Sequence, residues 1–392
     1  MAKFDFQSSR YAKFFSSDSN INYLQRFVDE TGIFYTNYGW YLTQGHKDTM
    51  PTNAQPDGTL VFNISARKLV AAPLMSLRAP LGDAPQGDKD GLAFYSATIP
   101  DFIADGFVET ALERYNREKM YEAFGNDAEI VAAWADTVQD KINSVDATLT
   151  YMTAQLLSTG KIDYSGIGKG IQAPLHKANI PDENFVGAGD YVWTDSENCK
   201  VLSQMRTIEN AYRDKFSYSG QLVWQVPRDM FYNTILTNPE VLELVASYKK
   251  NPLNWVAQVD GQSVMEAEFR NAVRDFFGLS TIEIVTEKER NATYTTDGFV
   301  NGWDQDKVVL RPAGDAVVFK WGQNVDRLLH ERYQASSISK VWATTNNGLG
   351  TLVNTTLDNG QFKEFHTDMM LTACPALLNF PYHYIIDTAT AG

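Results

Sequence analysis

Cysteine is scarce in this chain. Cys199 and Cys374 are the only two in 392 residues, which excludes the disulfide framework of a small secreted domain. Long apolar runs are missing too. The longest, LVAAPLM at Leu69–Met75, falls far short of the roughly 20 residues that cross a bilayer. The opening MAKFDFQSSRYAKFF lacks the apolar centre of a secretory leader. The Asn-x-Ser/Thr matches at Asn63, Asn291 and Asn354 therefore read as chance, and the chain as cytoplasmic in origin. Basic residues are outnumbered: 34 Lys and Arg against 48 Asp and Glu leave a net charge of −14. No Lys/Arg cluster is present to grip phosphates, which argues against nucleic-acid binding.

Catalytic spacing is lacking as well. His46, His176, His330, His366 and His383 show no metal-ligand spacing, and neither cysteine joins them. Ser337 and Lys340 fit S-x-x-K, but the partner motifs S-D-N and K-T-G are absent. GIGKG at Gly166–Gly170 lacks both the spacing and the Ser or Thr of a phosphate-binding loop. Asp326 and His330 read as a surface pair on a helix. Asp304 and Asp306 in NGWDQDK read as a turn, because no full set of oxygen ligands follows. The chain is expected to have no catalytic residue, cofactor or metal, and not to enter a membrane.

What is present is a 44% hydrophobic composition, enough for a sizeable core in one large domain or two to three smaller ones. Residues 1–42 hold twelve of the 49 aromatics, Phe4, Phe6, Phe14 and Phe15 among them, with little helical period. Rings at that density do not stay solvated. They form part of the core or an arm buried on another subunit, and composition fits both. From Gly58 to Phe102, two β-leaning runs flank a polar tip, APLGDAPQGDKDG, the signature of a long hairpin. Arg78, Asp83, Asp88, Lys89 and Asp90 lie on or beside that tip.

From Asn126 to Thr159, apolar residues recur in steps of three and four: Val131, Trp134, Val138, Ile142, Val145, Leu149, Met152 and Leu156. That is one face of a single helix, roughly 45–50 Å long. Asn126 and Glu129 form a capping box, and Gly160 stands where a left-handed residue ends a helix. Beyond an irregular stretch, a helix capped by Asp195 presents Val201, Met205, Ile208, Tyr212 and Phe216. LVWQVP predicts a strand, Pro239 begins a helix, and another closes near Gly278. TIEIV, DKVVLRP and AVVFKW predict further strands, so Trp193–Trp321 reads as a compact α/β unit. The tail reads as two strands around Pro375 and Pro381.

This order of elements, with LLSTGKIDYSG closing the long helix, DYVWTDSENCKVLSQM opening the α/β region and DKVVLRPAGDAVVFKWG later, resembles the major capsid proteins of tailed bacteriophages. The branch is the one similar to the lambda major capsid protein E. The resemblance covers about Gly58–Ala391 and rests on order, not on a catalytic fingerprint. It implies an α+β chain with the Hong Kong 97-type capsid fold. Residues 1–57 would be an N-terminal arm, 58–102 an extended E-loop hairpin, and 103–192 a P-domain with the spine helix at 126–159. Residues 193–335 would be an A-domain, 336–375 the return strands of the P-domain, and 376–392 a last A-domain strand. It further implies a non-enzymatic subunit of an icosahedral shell in the virion, assembled in the host cytoplasm. Partners would be copies of itself in hexamers and pentamers, a portal protein, a separate scaffolding protein, a decoration protein, and double-stranded DNA enclosed without sequence-specific binding. The arm rings and hairpin-tip charges named above would be inter-subunit contacts. Some members cross-link a loop lysine to an asparagine; Lys89 has no matched acceptor here, so no cross-link is assigned. An encapsulin-like nanocompartment shares the fold, and an α/β hydrolase with dispersed carboxylates is the reading from a different class.

Overall fold

The computed structural model describes residues 40–47, 53–54, 60–66, 93–99, 103–110, 112, 116, 119, 127–163, 176–187, 192–193, 199–250, 266–286, 289–290, 299–321, 340–344, 352–357, 364–371 and 373–389. Within them the chain is of the α+β class: one very long helix, several short ones, and mixed and antiparallel sheets.

The long helix spans Asp127–Thr159. It ends because Gly160 takes φ 71°, where a side chain would be strained, while its N–H still reaches Leu156 O at 2.9 Å. The chain then doubles back as Lys161–Ile162, antiparallel to His176–Lys177. Val145, Leu149, Met152 and Leu156 are almost fully buried. Val131, Trp134, Val138 and Ile142 also lie on the helix, with side chains outside those described. A single apolar face understates the last turns, because Asp146, Thr150, Thr153, Leu157 and Ser158 are buried as well. The strands Ala373–Leu377 and Lys307–Pro312, the strand Glu289–Arg290 and the helix Trp40–Gln44 all pack on this helix. The buried hydroxyls are satisfied inside it: Thr153 Oγ1 donates to Leu149 O (2.7 Å) and Ser158 Oγ to Ala154 O (2.8 Å).

The end of the aromatic N-terminal segment is core. Tyr41, fully buried, donates to Asp146 Oδ1 at 2.5 Å and meets Phe319 edge-on at 5.0 Å. Gly45–Lys47 then runs parallel to Val317–Phe319. The approach is close enough that a Cβ on Gly45 would sit 1.8 Å from Val317 O. Residues 1–39 lie outside the described part.

A mixed five-stranded sheet runs, from edge to edge, Thr281–Val285, Leu222–Pro227, Lys307–Pro312, Tyr384–Asp387, Phe185–Val186. The outer pairings are parallel and the two central ones antiparallel. The helices Val201–Phe216, Pro239–Lys250 and Glu266–Ala272 share one buried cluster with it, around Trp193, Trp224 and Phe231. The helix Val201–Phe216 starts later than expected, and its cap differs. Its N-terminal N–H groups are satisfied by Glu240, which accepts from Leu202 N (2.9 Å) and Ser203 N (3.1 Å); Asp195 lies outside the described residues.

The tail departs from the expected two strands. It forms Glu364–Leu371, Ala373–Leu377 and Tyr384–Asp387, with a short 3-10 turn at Phe380–Tyr382. Pro375 sits inside a strand, opposite Phe319. It is tolerated because that strand is the edge of its three-stranded sheet, where a missing N–H breaks no ladder on the outer side. Glu364–Leu371 also pairs along its whole length with Ile103–Thr110 in a four-stranded antiparallel sheet.

Since Leu149 is fully buried among neighbours on several sides, Leu149→Ala should lower unfolding free energy by about 2–5 kcal/mol. Denaturant unfolding would measure this, and a loss below about 0.5 kcal/mol would show that the helix is not central to the core.

Candidate functional site

The contact residues expected from sequence, Phe4, Phe6, Phe14, Phe15, Arg78, Asp83, Asp88, Lys89 and Asp90, lie outside the described residues. So do Asp326, His330, Ser337 and Gly166–Gly170. Asp304 and Asp306 form the expected turn, with Asp306 N donating to Asp304 Oδ1 at 3.1 Å. Among the described residues no three His, Cys, Asp or Glu side chains are placed to hold a metal. No described helix is long and apolar enough to cross a membrane. A depression of about 270 Å³ lies where the long helix ends, lined by Gln155, Lys161, Asp163 and Asp304 among others. The structure brings no nucleophile, base and orienting group together there. What it does build is two anchorages, at the base of the hairpin and of the N-terminal segment.

The hairpin strands pair from Leu60↔Ile99 to Ser65↔Phe94. Phe62, Ile64 and Ala66 are buried while Asn63 and Ser65 are exposed, the strict alternation of a strand with one face on a body. On the partner strand Tyr95 is buried, but Phe94 remains 69% exposed. Tyr95 Oη accepts from Leu377 N (2.8 Å) and donates to Leu377 O (3.3 Å), bonding the hairpin to the edge strand Ala373–Leu377. Burial pushes the Tyr95 hydroxyl pKa well up, so it stays protonated and keeps both bonds. Around it stand Phe380, edge-on at 5.0 Å, and His176, which also touches Phe62. His176 Nδ1 lies 3.2 Å from Cys374 Sγ, and burial holds its pKa down to about 4.

The N-terminal segment is held by a buried polar network. Gln225 Nε2 donates to Gln44 Oε1 (2.7 Å) and Glu283 Oε2 (2.9 Å), and Gln44 Nε2 donates to Glu283 Oε1 (2.9 Å). Arg311, 5% exposed, donates to Gln225 Oε1, Gln44 Oε1 and the carbonyls of Pro312 and Gly314. Burial lowers its pKa, while Glu283 and Asp315 act in the opposite sense. Three strands of the sheet thus close on one glutamine at the end of the helix Trp40–Gln44. Sequence reading singled out none of Gln44, Tyr95, His176 or Arg311 as an anchor. The alternation in VFNISA, at Val61–Ala66, is a signal of a docked strand that the sequence reading did not use.

Glu209 ties the α/β unit together. It accepts from Ser280 Oγ (2.6 Å), Ser280 N (3.2 Å), Arg213 Nη2 (2.9 Å) and Trp224 Nε1 (3.3 Å). Burial opposes its ionisation, but the bonds from Ser280, Arg213 and Trp224 outweigh it, and the pKa is lowered. A depressed carboxyl pKa stabilises the fold above its unfolded value and ceases to do so as pH falls through the folded one. Glu209→Gln should therefore cost about 2 kcal/mol at pH 7. The difference from wild type should shrink below about pH 4.5, the ordinary value for the group. Denaturant unfolding at several pH values would check this, and a pH-independent difference would contradict it.

No family model matches the chain, and no curated protein does. Solved structures match along most of the chain. A structure described as a prophage capsid protein from E. coli CFT073 aligns at TM-score 0.51 and 13% identity, covering 94% of this chain and 99% of that one. A phage-related protein from Bordetella bronchiseptica RB50 aligns at TM-score 0.47 and 12% identity, over 94% and 97%. The mature capsid subunit of bacteriophage PhiM1 gives 0.42 and 10%, over 90% and 87%. Only the first of the three exceeds 0.5. The chain therefore has a phage capsid-protein fold of the α+β class.

Proposed function

We propose that this chain is the major capsid protein of a tailed phage, a structural subunit that assembles with copies of itself into the head shell around double-stranded DNA. The observation that carries this is the nearly end-to-end correspondence with the CFT073 structure, over 94% of this chain and 99% of that one. The chemistry agrees with it. The hairpin strands and the helix Trp40–Gln44, which ends the N-terminal segment, are each anchored by buried side chains.

In this reading residues 1–57 form an N-terminal arm and 58–102 an E-loop. Residues 103–192, with the spine helix, and 336–375 form a P-domain; 193–335 and 376–392 form an A-domain. Hexamers and pentamers are the assembly units. A portal, a separate scaffolding protein and a decoration protein complete the particle, which is built in the host cytoplasm. The charge of −14 suits a container, since a wall that gripped packaged DNA would hinder its movement. The subunit performs no chemistry of its own.

Charged pairs at a hairpin rim contribute only about 0–1 kcal/mol each, but a closed shell repeats them many times. Replacing Pro80–Gly91 by a short Gly-Ser turn should leave subunit unfolding unchanged. Fast-sedimenting particles should fall at least about tenfold, most steeply in high salt. Deleting residues 1–38 spares Trp40 and Tyr41, which pack in the core, so the chain should fold but not assemble. Gradient sedimentation beside circular dichroism reads both outcomes. Wild-type particle yield in both variants would show that neither the arm nor the hairpin tip is an inter-subunit contact, and absence of fast-sedimenting particles from the wild-type chain would overturn the shell reading.

A further inference from the structure

Among the described residues, His176 Nε2 is the one buried side-chain nitrogen or oxygen without a hydrogen-bond partner. Its surroundings account for what that atom lacks. Phe62 comes from one hairpin strand, at 5.5 Å between ring centroids, and Tyr95 from the other, at 6.1 Å. Cys374, fully buried, comes from the edge strand Ala373–Leu377. On the paired strand, Ile162 stands opposite His176 and is buried, while Lys161 and Lys177 lie on the exposed side of that short ladder. Among the described residues, the titratable groups facing the imidazole are thus a phenol and a thiol. No carboxylate or cation contributes to its shift, which comes from burial alone.

An imidazole in such a place is tolerated only while neutral. Once protonated it has a second N–H with no acceptor and a charge with no counter-ion, and it must reach water or be expelled. A cation–π contact to Phe62, 5.5 Å away between centroids, would return less than an unpaired buried charge costs. Two walls of the enclosure are hairpin side chains. The third is a strand held by Val317–Trp321 and by the long helix. The hairpin is the wall that yields, and it can leave as a unit because its own ladder from Leu60↔Ile99 to Ser65↔Phe94 is internal.

We propose that His176 is an acid-sensitive latch: protonation of its buried imidazole releases the hairpin strands Leu60–Ser65 and Phe94–Ile99 from the strand Ala373–Leu377. The latch belongs to the subunit and does not depend on the shell reading. Its pH range follows from the pKa of about 4 in the docked state against the ordinary 6.5 once solvated. The docked form binds the proton more weakly, so docking is fully favoured above 6.5, weakens as pH falls, and levels off near 4. The undocked-to-docked ratio should rise about tenfold per pH unit across that window, roughly 300-fold in all.

Hydrogen exchange on the purified full-length chain tests this, corrected for the intrinsic pH dependence of exchange. The readout must be local, because His383, also buried with its pKa lowered to about 4, weakens the body over the same range. The expected result is opening of residues 60–65 and 94–99 that grows about tenfold per pH unit below 6.5, while the strand at 307–312 stays protected. His176→Phe, which keeps a ring in the enclosure, should make hairpin opening independent of pH between 6.5 and 4. Should that variant fold poorly, His176→Gln should give the same flat profile. Hairpin and body opening in step, or variants following the wild-type profile, would overturn the proposal.

Discussion

Burial of the second half of one helix is the constraint on which the rest of this structure depends. From Val145 to Ser158 the helix Asp127–Thr159 is enclosed on most sides, and separate parts of the chain bond directly to it. Tyr41 reaches Asp146 from the N-terminal segment. Asp304 N donates to Ser158 Oγ at 3.1 Å from the loop before the strand Lys307–Pro312. From the tail, His383 Nε2 donates to Leu157 O at 2.7 Å, which requires its hydrogen on Nε2. Gly302 lies so close that an added Cβ would stand 2.5 Å from Tyr151 O. Segments from both ends of the chain thus converge on about four turns of helix.

The helix in turn positions the hairpin strands and the helix Trp40–Gln44. The strand Ala373–Leu377 packs on it, and Tyr95 bonds to Leu377, so the hairpin base is referred to the helix through one strand. The N-terminal segment is referred to it twice, through Tyr41 and through the network joining Gln44 to Arg311. In the proposed shell, strands and helices that share one rigid reference would meet neighbouring copies in a fixed geometry. A shell needs this, because small errors per contact add up around a closed surface.

What was legible in the sequence was what local chemistry decides. The long helix and its glycine stop, Pro239 at a helix start and Gly278 at φ 66° all follow from short-range backbone preferences. Elements whose partners lie far along the chain were not legible. Glu240 caps a helix 38 residues upstream. Pro375 is accommodated because its strand happens to be an edge. The full burial of the helix end could not be read from a periodicity that records only one face. The anchors were hidden for the same reason: Tyr95 meets Leu377 across 282 residues, and Gln44 meets Arg311 across 267. The arm rings and tip charges named from sequence lie outside the described residues, so the legible part of the candidate site is the pairing of the hairpin strands and little else.

We propose for a fold held by one helix a role in which many copies close into a container. The central claim is the closure. Electron microscopy of the purified chain, expressed alone and with its phage's head genes, tests that most directly. The account predicts regular closed shells built from repeated copies of this subunit, filled with DNA when packaging genes are present. Monomers or small oligomers in both cases, with no closed particles across a range of ionic strength, would contradict it.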